Sequence, residues 1–435
     1  MRIAMMTNTY LPMVGGVSRS VSRFTESFRE RGHRVLVVSP SFADMPAEET
    51  DVVRIPAIQN FNGSDFSVRL PVTGMLQPAL EAFAPEIIHA HHPFLLGDTA
   101  LRTAAHFNVP VVFTHHTMYE HYTHYVPGDS PLMKRFAIEL ATAYANLCDQ
   151  VVAPSESIAA ILTARGVTTP ISAIPSGIDF ERLASGNGSR GRAAAGIPAG
   201  ARLIGHVGRL AEEKNLAFLA EAAAAVLARQ PEAWLLVVGE GPADELIRQR
   251  CQAAGVAGRL RLAGVLQGQP LADAYAAMDV FGFASTSETQ GLVLAEAMAA
   301  GVPVVALDAP GSRDVVVDHR NGRLLTTATV DACAAALAEV LSLPVAPRQQ
   351  MVAAARETAA GYATGRCAER LLAVYASLLG HGHRGLGLDG SLWAAALRRL
   401  GEEWTLLASR SAAAGSAIGG VVFGESDTPA DGGVG

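Results

Sequence analysis

Short apolar runs rich in β-branched residues alternate with longer segments of helical periodicity along most of the chain. This alternation is typical of parallel sheets whose strands are joined by crossover helices. One series of predicted strands comprises Ile3–Met6, Val35–Ser39, Val52–Ile55, Ile87–Ala90, Val111–Thr114 and Val151–Pro154. A second series comprises Leu203–Gly208, Leu235–Gly239, Leu260–Ala263, Val280–Ala284 and Val304–Leu307. The pattern therefore predicts an α/β protein with two Rossmann-like, doubly wound parallel-sheet domains.

The gap between the two series sets the predicted domain boundary. We predict an N-terminal domain over residues 1–180 and a C-terminal domain over residues 181–365. Ligands of such sheets bind at the carboxyl ends of the strands, so two facing domains would hold theirs in the cleft between them. Residues 185–200 are rich in Gly, Ser and Ala, and form either a loose linker or the first segment of the second domain.

The end of the chain has a different character. Residues 366–410 are predicted to form C-terminal helices, with a return to the N-terminal domain as one arrangement, and residues 411–435 a disordered tail. Trp393 and Trp404 fall on one face of a helical segment. That face would pack on the body of the protein, form a dimer contact or lie on a membrane surface.

Composition and charge exclude several classes of function. Of the 435 residues, 49% are hydrophobic and 17% are charged, as in proteins with large buried sheets. The formal net charge of −7 argues against nucleic acid as a partner, because phosphate binding needs a cationic face. The four cysteines show no CxxC pair, which argues against zinc and disulfides and for a reducing compartment.

No segment has the pattern of a signal peptide, or the roughly 20 apolar residues that span a bilayer. The expected location is the cytoplasm, with peripheral contact at the inner face of the cell membrane as an option. Arg19, Arg23 and Arg29 in the first predicted helix would form a local basic surface that attracts anionic lipid. The alternative is ordinary solvated helix charge.

The strongest indication of chemistry lies after the fourth strand of the second series. Glu288 ends a loop there, and a helix begins near Gly291. The free N–H groups at a helix start, here around Gly291, Leu292 and Val293, form an anion site that suits a diphosphate. Glu288 and Glu296 would accept hydrogen bonds from hydroxyl groups on either side of it.

A second element follows the first strand of the second series, in the sequence GRLAEEKN. The chain has only two lysines, Lys134 and Lys214, so a lysine in this loop indicates a specific role. Together, Arg209 and Lys214 would neutralise a diphosphate leaving group, a task otherwise done by a metal ion. The alternative is surface pairing with Glu212 and Glu213.

A third element, Gly15 and Gly16, opens the first predicted helix. Because they lack side chains, these residues would let the helix N-terminus approach a phosphate or an acceptor closely. The loop is not GxGxxG, and no such fingerprint occurs elsewhere in the chain. Its absence disfavours a nicotinamide-dependent enzyme.

Histidines are concentrated near the carboxyl ends of two strands of the first series. Eight of the thirteen histidines fall within residues 89–124: His89, His91, His92, His106, His115, His116, His121 and His124. Imidazole is a common metal ligand, but no HExxH or Cys/His spacing is present, so no metal site is predicted. We expect some of these histidines to contact a sugar and its acceptor in the cleft, and others to be structural.

Together these motifs resemble the family-four retaining glycosyltransferases over residues 1–375. The resemblance is carried by the glycine loop, HHT at His115–Thr117, IPSGID at Ile174–Asp179, GRL…EKN, GEGP at Gly239–Pro242 and the pair of Glu288 and Glu296. It implies a GT-B fold, with the acceptor on the N-terminal domain and a nucleotide sugar on the C-terminal domain.

The resemblance also implies roles for individual residues. Arg209 and Lys214 would bind the donor diphosphate, Glu288 would hold the hydroxyls of the transferred sugar, and Glu296 would hold the ribose. His116 would lie beside the sugar at the reaction centre. The implied enzyme is a hexosyltransferase that retains the anomeric configuration and needs no metal or other cofactor.

Within the family, HHPFLLGDTAL and THHTMYEHYTHYVP are similar to bacterial diacylglycerol glucosyltransferases. This similarity implies a UDP-glucose-type donor and a lipid acceptor, diacylglycerol or a glycolipid. The chain departs from the family in its acidic net charge and in His115, where the family has a tyrosine. Three alternatives stay open: transfer from a UDP- or GDP-sugar to a soluble acceptor, a GT-B-type sugar-nucleotide epimerase, and a non-catalytic nucleotide-sugar binding protein.

Overall fold

The computed structural model of the chain describes residues 1–13, 15–42, 45, 49–58, 68–69, 76–121 and 130–381. Two parallel sheets with flanking helices make up this part of the chain. His124, Trp393, Trp404 and the predicted tail over residues 411–435 lie outside the described residues.

The first domain is built around a sheet of seven parallel strands. In chain order these are β1 (Arg2–Met6), β2 (Arg34–Pro40), β3 (Val52–Ile55), β6 (Ile87–Ala90), β7 (Val111–Thr114), β8 (Gln150–Ala153) and β9 (Ile171–Ala173), and a short antiparallel pair, β4 (Ala57–Ile58) and β5 (Val68–Arg69), lies between β3 and β6. The helices are α1 (Gly16–Glu30), α2 (Leu76–Phe83), α3 (Leu96–Phe107), α4 (Pro131–Asn146) and α5 (Glu156–Ala164).

The second domain repeats this plan with six parallel strands. These are β10 (Arg202–Val207), β11 (Ala233–Val238), β12 (Leu260–Leu262), β13 (Val280–Phe283), β14 (Val304–Leu307) and β15 (Gly322–Leu325). The remaining helices are α6 (Phe180–Ala184), α7 (Gly188–Ala194), α8 (Leu216–Arg229), α9 (Asp244–Ala253), α10 (Gly268–Ala277), α11 (Leu292–Ala299), α12 (Ser312–Val315), α13 (Val330–Leu341), α14 (Val345–Gly361) and α15 (Thr364–His381). Three 3-10 turns complete the described chain: Tyr119–His121, Glu212–Lys214 and Ala257–Arg259.

Each sheet reverses its direction of winding beside its first strand. The strand order is β3-β2-β1-β6-β7-β8-β9 in the first sheet and β12-β11-β10-β13-β14-β15 in the second. The reversals therefore fall between β1 and β6 and between β10 and β13. In open α/β sheets the ligand crevice forms outside the carboxyl ends of the strands at such a reversal.

The predicted fold class is confirmed. Each predicted strand is present, with its ends shifted by no more than two residues. The prediction missed the edge strands β9 and β15, since every residue of β9 is only half-buried and β15 begins with a glycine. Central strands buried on both faces give long apolar runs, whereas these two edge strands do not.

Residues 185–200 belong to the second domain. Gly186, Gly188 and Gly191 bring this segment against α10, where a Cβ on any of them would collide with a backbone carbonyl oxygen. The N–H of Asn187 also donates to Asp273 Oδ1 at 2.8 Å. The loose-linker interpretation is therefore wrong, because the small residues serve close packing.

Helix α15 leaves the second domain and packs against the first. Cys367, Ala368, Leu371 and Tyr375 are fully buried in a cluster with residues of β1, β2 and α1. The backbone N–H of Thr364 donates to the carbonyl oxygen of Ile178 at 3.0 Å, where the chain crosses between the domains.

The arginines of α1 are largely turned toward the protein. Arg23 Nη1 donates to the carbonyl oxygen of Gly177 at 2.6 Å, and Arg29 Nη2 donates to that of Val35 at 2.8 Å. A carbonyl oxygen does not neutralise the charge of a guanidinium group, so the expected basic surface of Arg19, Arg23 and Arg29 stays a prediction. Arg19 is exposed.

Among the described helices, no single one is long and apolar enough to cross a bilayer. Helices α13 and α14 reach the required length only together, and a bend of 106° separates them.

Replacing Gly191 by alanine should destabilise the protein, although alanine is the better helix former. The added Cβ would collide with the carbonyl oxygen of Asp273 in α10, and overpacking of this kind costs roughly 1–3 kcal/mol. We expect the free energy of unfolding, measured by urea denaturation, to fall by that amount. Gly361→Ala is the matched control, because a Cβ there has nothing within 4 Å. Equal stabilities of the two variants would contradict this account of the packing.

Candidate active site

The carboxyl ends of the two sheets meet across a cleft, and loops from both domains touch there. The N–H of Ser176 donates to Gln290 Oε1 at 2.9 Å, and the hydroxyl of Thr289 lies 3.5 Å from the backbone oxygen of His116. His116 follows β7 and Thr289 follows β13. The histidine of the first domain therefore borders the loop of the second domain that carries Glu288.

The backbone turns sharply at Gly291 to begin α11. This residue has a φ of +65°, in the left-handed region that favours glycine, and a Cβ on it would lie 2.7 Å from the carbonyl oxygen of Gly311. Helix geometry gives the first N–H groups of α11, those of Leu292 and Val293, no acceptor inside the helix. The helix start predicted for a diphosphate is therefore present at the edge of the cleft.

Lys214 and Glu288 form an ion pair across two loops. Lys214 Nζ donates to Glu288 Oε2 at 2.9 Å, and each side chain is 21% exposed. The alternative predicted for Lys214, pairing with Glu212 or Glu213, does not occur in the described structure. The 3-10 turn over Glu212–Lys214 sends the lysine toward the loop after β13 instead.

Arg209 lies on the same loop as Lys214. It forms an exposed ion pair with Glu213, four residues along the chain. The structure therefore shows, for Arg209, the surface pairing with Glu213 that the sequence analysis gave as the alternative. Binding of a diphosphate would require the guanidinium group to exchange Glu213 for the ligand.

Glu296 lies on α11, with its side chain mostly buried between the domains. Its Oε2 accepts a hydrogen bond from the hydroxyl of Tyr275 at 2.9 Å, and its Oε1 lies 3.8 Å from Arg23 Nη2. Tyr275 is fully buried in α10, and Arg23 belongs to α1 of the opposite domain. One carboxylate is therefore positioned from both sides of the cleft.

Gly15 and Gly16 form the start of α1. Gly15 has extended backbone, with a φ of −155°, and Gly16 is the first helical residue. Among the described residues, no atom lies within 4 Å of a Cβ placed on either glycine. The space before this helix start is open, and the close approach of a ligand to it stays a prediction.

The histidines divide into two groups. His89, His91, His92, His115 and His116 are buried at the carboxyl ends of β6 and β7. His106 is exposed on α3, and His121 belongs to the 3-10 turn after β7. The buried group faces the end of the sheet that borders the cleft, as predicted from the sequence.

Burial keeps these histidines neutral. Loss of water contact lowers the pKa of His89 and of His92 to about 3, and that of His115 to about 4. It lowers the pKa values of His91 and His116 well below their usual range, and the neighbouring histidines lower them further. Neutral imidazoles offer one N–H donor and one acceptor each, which suits hydrogen bonding to hydroxyl groups.

Two residues at the site, Tyr275 and Arg23, and one contact, that of His91 with His116, were not predicted from the sequence. Tyr275 looks like an ordinary apolar position of a helix, and Arg23 like a surface charge. His91 was recognised as part of the histidine cluster, but its contact with His116 depends on the pairing of β6 with β7.

Within the described part of the chain, no group of three or more His, Cys, Asp or Glu side chains is arranged to hold a metal ion. The positive charge near Glu288 comes from Lys214. Independence of metal ions stays a prediction.

The chemistry of the cleft suits a ligand with both phosphates and hydroxyl groups. A lysine and a helix start attract the phosphates, and two carboxylates accept hydrogen bonds from hydroxyls. Nucleotide sugars combine these groups in one molecule.

Two parallel-sheet domains facing each other across such a cleft define the GT-B class of glycosyltransferases. The fold is similar to that of a sucrose-phosphate synthase from Thermosynechococcus elongatus, with a TM-score of 0.70 at 22% identity. The similarity covers 87% of this chain and 99% of that structure.

The amino-acid sequence identifies the family. Two protein-family models match the chain. The family model described as Glycosyltransferase Family 4 matches residues 14–182, and the one described as Glycosyl transferases group 1 matches residues 189–358. The chain therefore belongs to the family-four glycosyltransferases and is an enzyme of glycosyl transfer.

Two curated relatives bear on the substrates. A GDP-mannose-dependent alpha-mannosyltransferase of Mycobacterium tuberculosis is 31% identical over 87% of this chain and 97% of its own length. An alpha-monoglucosyldiacylglycerol synthase of Streptococcus pneumoniae is 29% identical over 74% of this chain and 75% of its own length.

Acidification from pH 7 to pH 5 should destabilise the protein. A buried histidine with a lowered pKa binds fewer protons than the unfolded chain does below about pH 6.5, so its contribution is lost as the pH falls. Each such group costs about 2 kcal/mol at pH 5. We expect urea denaturation to show a smaller free energy of unfolding at pH 5 than at pH 7. A free energy of unfolding that does not fall would contradict neutral burial of the cluster.

Proposed function

We propose that the protein is a retaining, metal-independent hexosyltransferase that moves glucose from UDP-glucose to a lipid acceptor, diacylglycerol or a glycolipid. Family membership establishes glycosyl transfer, and the donor, the acceptor and the stereochemistry are the proposal. The observation that carries it is the pair of Lys214 and Glu288 beside the start of α11. This pair offers partners for both the diphosphate and the sugar.

The proposed donor pose follows from these charges. The diphosphate would lie between Lys214 and the first N–H groups of α11, and Arg209 would turn from Glu213 to join it. An exposed ion pair such as that of Arg209 and Glu213 contributes about 0–1 kcal/mol, so its exchange costs little. Glu288 would then accept hydrogen bonds from the transferred sugar, and Glu296 from the ribose.

Transfer would take place by substitution on the front face of the sugar. Lys214 holds the carboxylate of Glu288, and no free nucleophile is evident among the described residues of the cleft. The bond from the anomeric carbon to the phosphate oxygen would break as the bond to the acceptor oxygen forms on the same face. The acceptor's proton would pass to the leaving phosphate oxygen. Catalysis would then consist of positioning and stabilisation of the departing charge.

The lipid acceptor is supported by the motifs around His91 and His116 and by the relative from Streptococcus pneumoniae. A lipid acceptor stays in the bilayer, so the enzyme must reach the membrane surface, here proposed as the inner face of the cell membrane. The arginines of α1, of which Arg19 is exposed, would contribute positive charge to this contact.

GDP-mannose is the second candidate donor. The mannosyltransferase relative is 31% identical to this chain, and the match covers nearly the whole length of the relative. The residues that would hold the diphosphate and the ribose do not distinguish uracil from guanine, because they contact neither base.

A matched panel of donors and acceptors tests the proposed function. UDP-glucose, UDP-galactose, GDP-mannose and GDP-glucose would be offered with vesicles containing diacylglycerol and with a soluble glycoside, all in EDTA. We expect transfer from UDP-glucose to the lipid with retained configuration, seen by NMR of the product. Preference for GDP-mannose would support the second candidate. Transfer to the soluble acceptor alone would refute the lipid assignment, and restoration of activity by manganese would refute metal independence.

Lys214→Ala should lower kcat by roughly a hundredfold or more, the size of effect seen when a stabiliser of transition-state charge is removed. The control is Lys134→Ala, which removes the other lysine of the chain, an exposed residue of α4. Steady-state kinetics would measure kcat for both variants, and we expect Lys134→Ala to match the wild type. Unchanged kinetics of Lys214→Ala would place the diphosphate elsewhere.

His116→Ala should impair transfer far more than stability, because His116 is predicted to contact the sugar at the reaction centre. His106→Ala is the control, since this exposed histidine of α3 lies outside the cleft. Activity and thermal melting of both variants would be compared. If the two substitutions reduce activity equally, the histidine cluster is structural only.

A further inference from the structure

The carboxylate of Glu296 is held by one residue from each domain. The hydroxyl of Tyr275 donates to its Oε2 at 2.9 Å, and Arg23 Nη2 lies 3.8 Å from its Oε1. Tyr275 belongs to α10 of the second domain, whereas Arg23 belongs to α1 of the first. The proposed function gives Glu296 the ribose of the donor, but it assigns no role to either of these two partners.

Tyr275 fixes one oxygen of the carboxylate. Burial raises the pKa of Tyr275 well above its usual range, and the charge of Glu296 raises it further, so the hydroxyl keeps its proton and donates. The ring is fully buried beside Phe281, with 5.9 Å between the ring centroids, so the position of the hydroxyl is set by the core of the second domain.

Arg23 is fixed where the chain crosses between the domains. Its Nη1 donates to the carbonyl oxygen of Gly177 at 2.6 Å. Gly177 has a φ of +80°, and a Cβ on it would lie 2.7 Å from Thr364 Cα, so the two crossing segments touch at this point. The guanidinium group is therefore held against the crossing with one edge toward Glu296.

The second oxygen of Glu296 is left open to a ligand. At 3.8 Å, Arg23 Nη2 attracts Oε1 by its charge but is beyond the distance of a hydrogen bond. Among the described residues, Oε1 accepts no hydrogen bond, so its lone pairs are free for hydroxyl donors. Arg23 and Glu296 also line a cavity of about 850 Å³ between the domains, which is within the size range of ligand pockets.

We propose that Arg23 and Tyr275 are positioning residues, which orient the carboxylate of Glu296 toward the hydroxyls of the donor's ribose. The identity of that ligand rests on the proposed function. Because Arg23 belongs to the first domain, it makes binding of the donor depend on contact between the domains. A donor that binds Glu296 more tightly with Arg23 in place favours the arrangement in which α1 lies beside α11.

Calorimetric titration of the full chain with UDP, GDP and their 2′,3′-dideoxy forms tests the proposal, because the dideoxy nucleotides lack the hydroxyls in question. We expect Arg23→Gln and Tyr275→Phe each to weaken binding of the ribonucleotide about tenfold, the factor of one ordinary hydrogen bond. Binding of the dideoxy nucleotide should weaken by less than about twofold, because the interaction under test is already absent. Equal losses with both nucleotides, or no loss with either, would overturn the role of the residue substituted.

Two variants are matched controls for these substitutions. Arg29 is also a half-buried arginine of α1 that donates to a backbone carbonyl oxygen, that of Val35. Tyr144 is also a fully buried tyrosine, and its hydroxyl donates to the carbonyl oxygen of Gly97 at 2.9 Å. We expect Arg29→Gln and Tyr144→Phe to bind both forms of the nucleotide as the wild type does. Tyr275→Phe removes only a hydroxyl, so it tests the proposal even if Arg23→Gln fails to fold.

Glu296→Gln separates this proposal from the proposed function. We expect it to lose the preference for the ribonucleotide as Arg23→Gln does. A preference that survives Glu296→Gln would refute the ribose contact itself, and a wild-type protein that binds neither UDP nor GDP would refute the proposed donor. Loss of the preference in Glu296→Gln alone would refute only the positioning by Arg23 and Tyr275.

Discussion

All the strands of a parallel sheet end at the same edge of the sheet. The position of the cleft and of its polar groups depends on that constraint. In each domain the winding reverses beside the first strand, between β1 and β6 and between β10 and β13. A helix that follows one of the bordering strands begins there, α1 in the first domain and α11 in the second. Groups that would be costly inside a core, such as free N–H groups and charged side chains, are therefore collected along one cleft.

The histidine layer shows what this arrangement demands of the first domain. Five imidazoles are buried behind the cleft, and burial holds their pKa values below the usual range. Some nitrogens are satisfied within the protein, as where the N–H of Asn8 donates to His92 Nδ1 at 3.1 Å. Others, on His91, His115 and His116, have no hydrogen-bond partner among the residues that the structure describes. An apolar layer would avoid the cost of those unpaired nitrogens, so stability alone does not explain the polar layer.

The amino-acid sequence was sufficient to predict the fold class and the segments that form the cleft. Apolar runs of four or more residues reveal central strands, whereas β9 and β15, at the sheet edges, were missed for want of such runs. The start of α11 at Gly291 was also predicted, because a glycine before a helical pattern is a local signal. Side-chain partners were not predictable, since they depend on contacts between distant loops. Lys214 bypasses two neighbouring glutamates to reach Glu288, while Arg209 takes one of them.

The charged side chains of Lys214, Glu288 and Glu296 are paired within the protein, and this bears on what the site would select. Lys214 holds Glu288, and Tyr275 and Arg23 hold Glu296. A bare diphosphate that drew Lys214 away would leave the partly buried carboxylate of Glu288 without its cation, which is costly. A nucleotide sugar would compensate for that loss if, as proposed, its hydroxyls donate to Glu288 while its phosphates accept from Lys214. On the proposed function, the ion pair of Lys214 and Glu288 would therefore favour the complete donor over the product nucleotide. Release of the nucleotide after transfer would follow as Lys214 returns to Glu288.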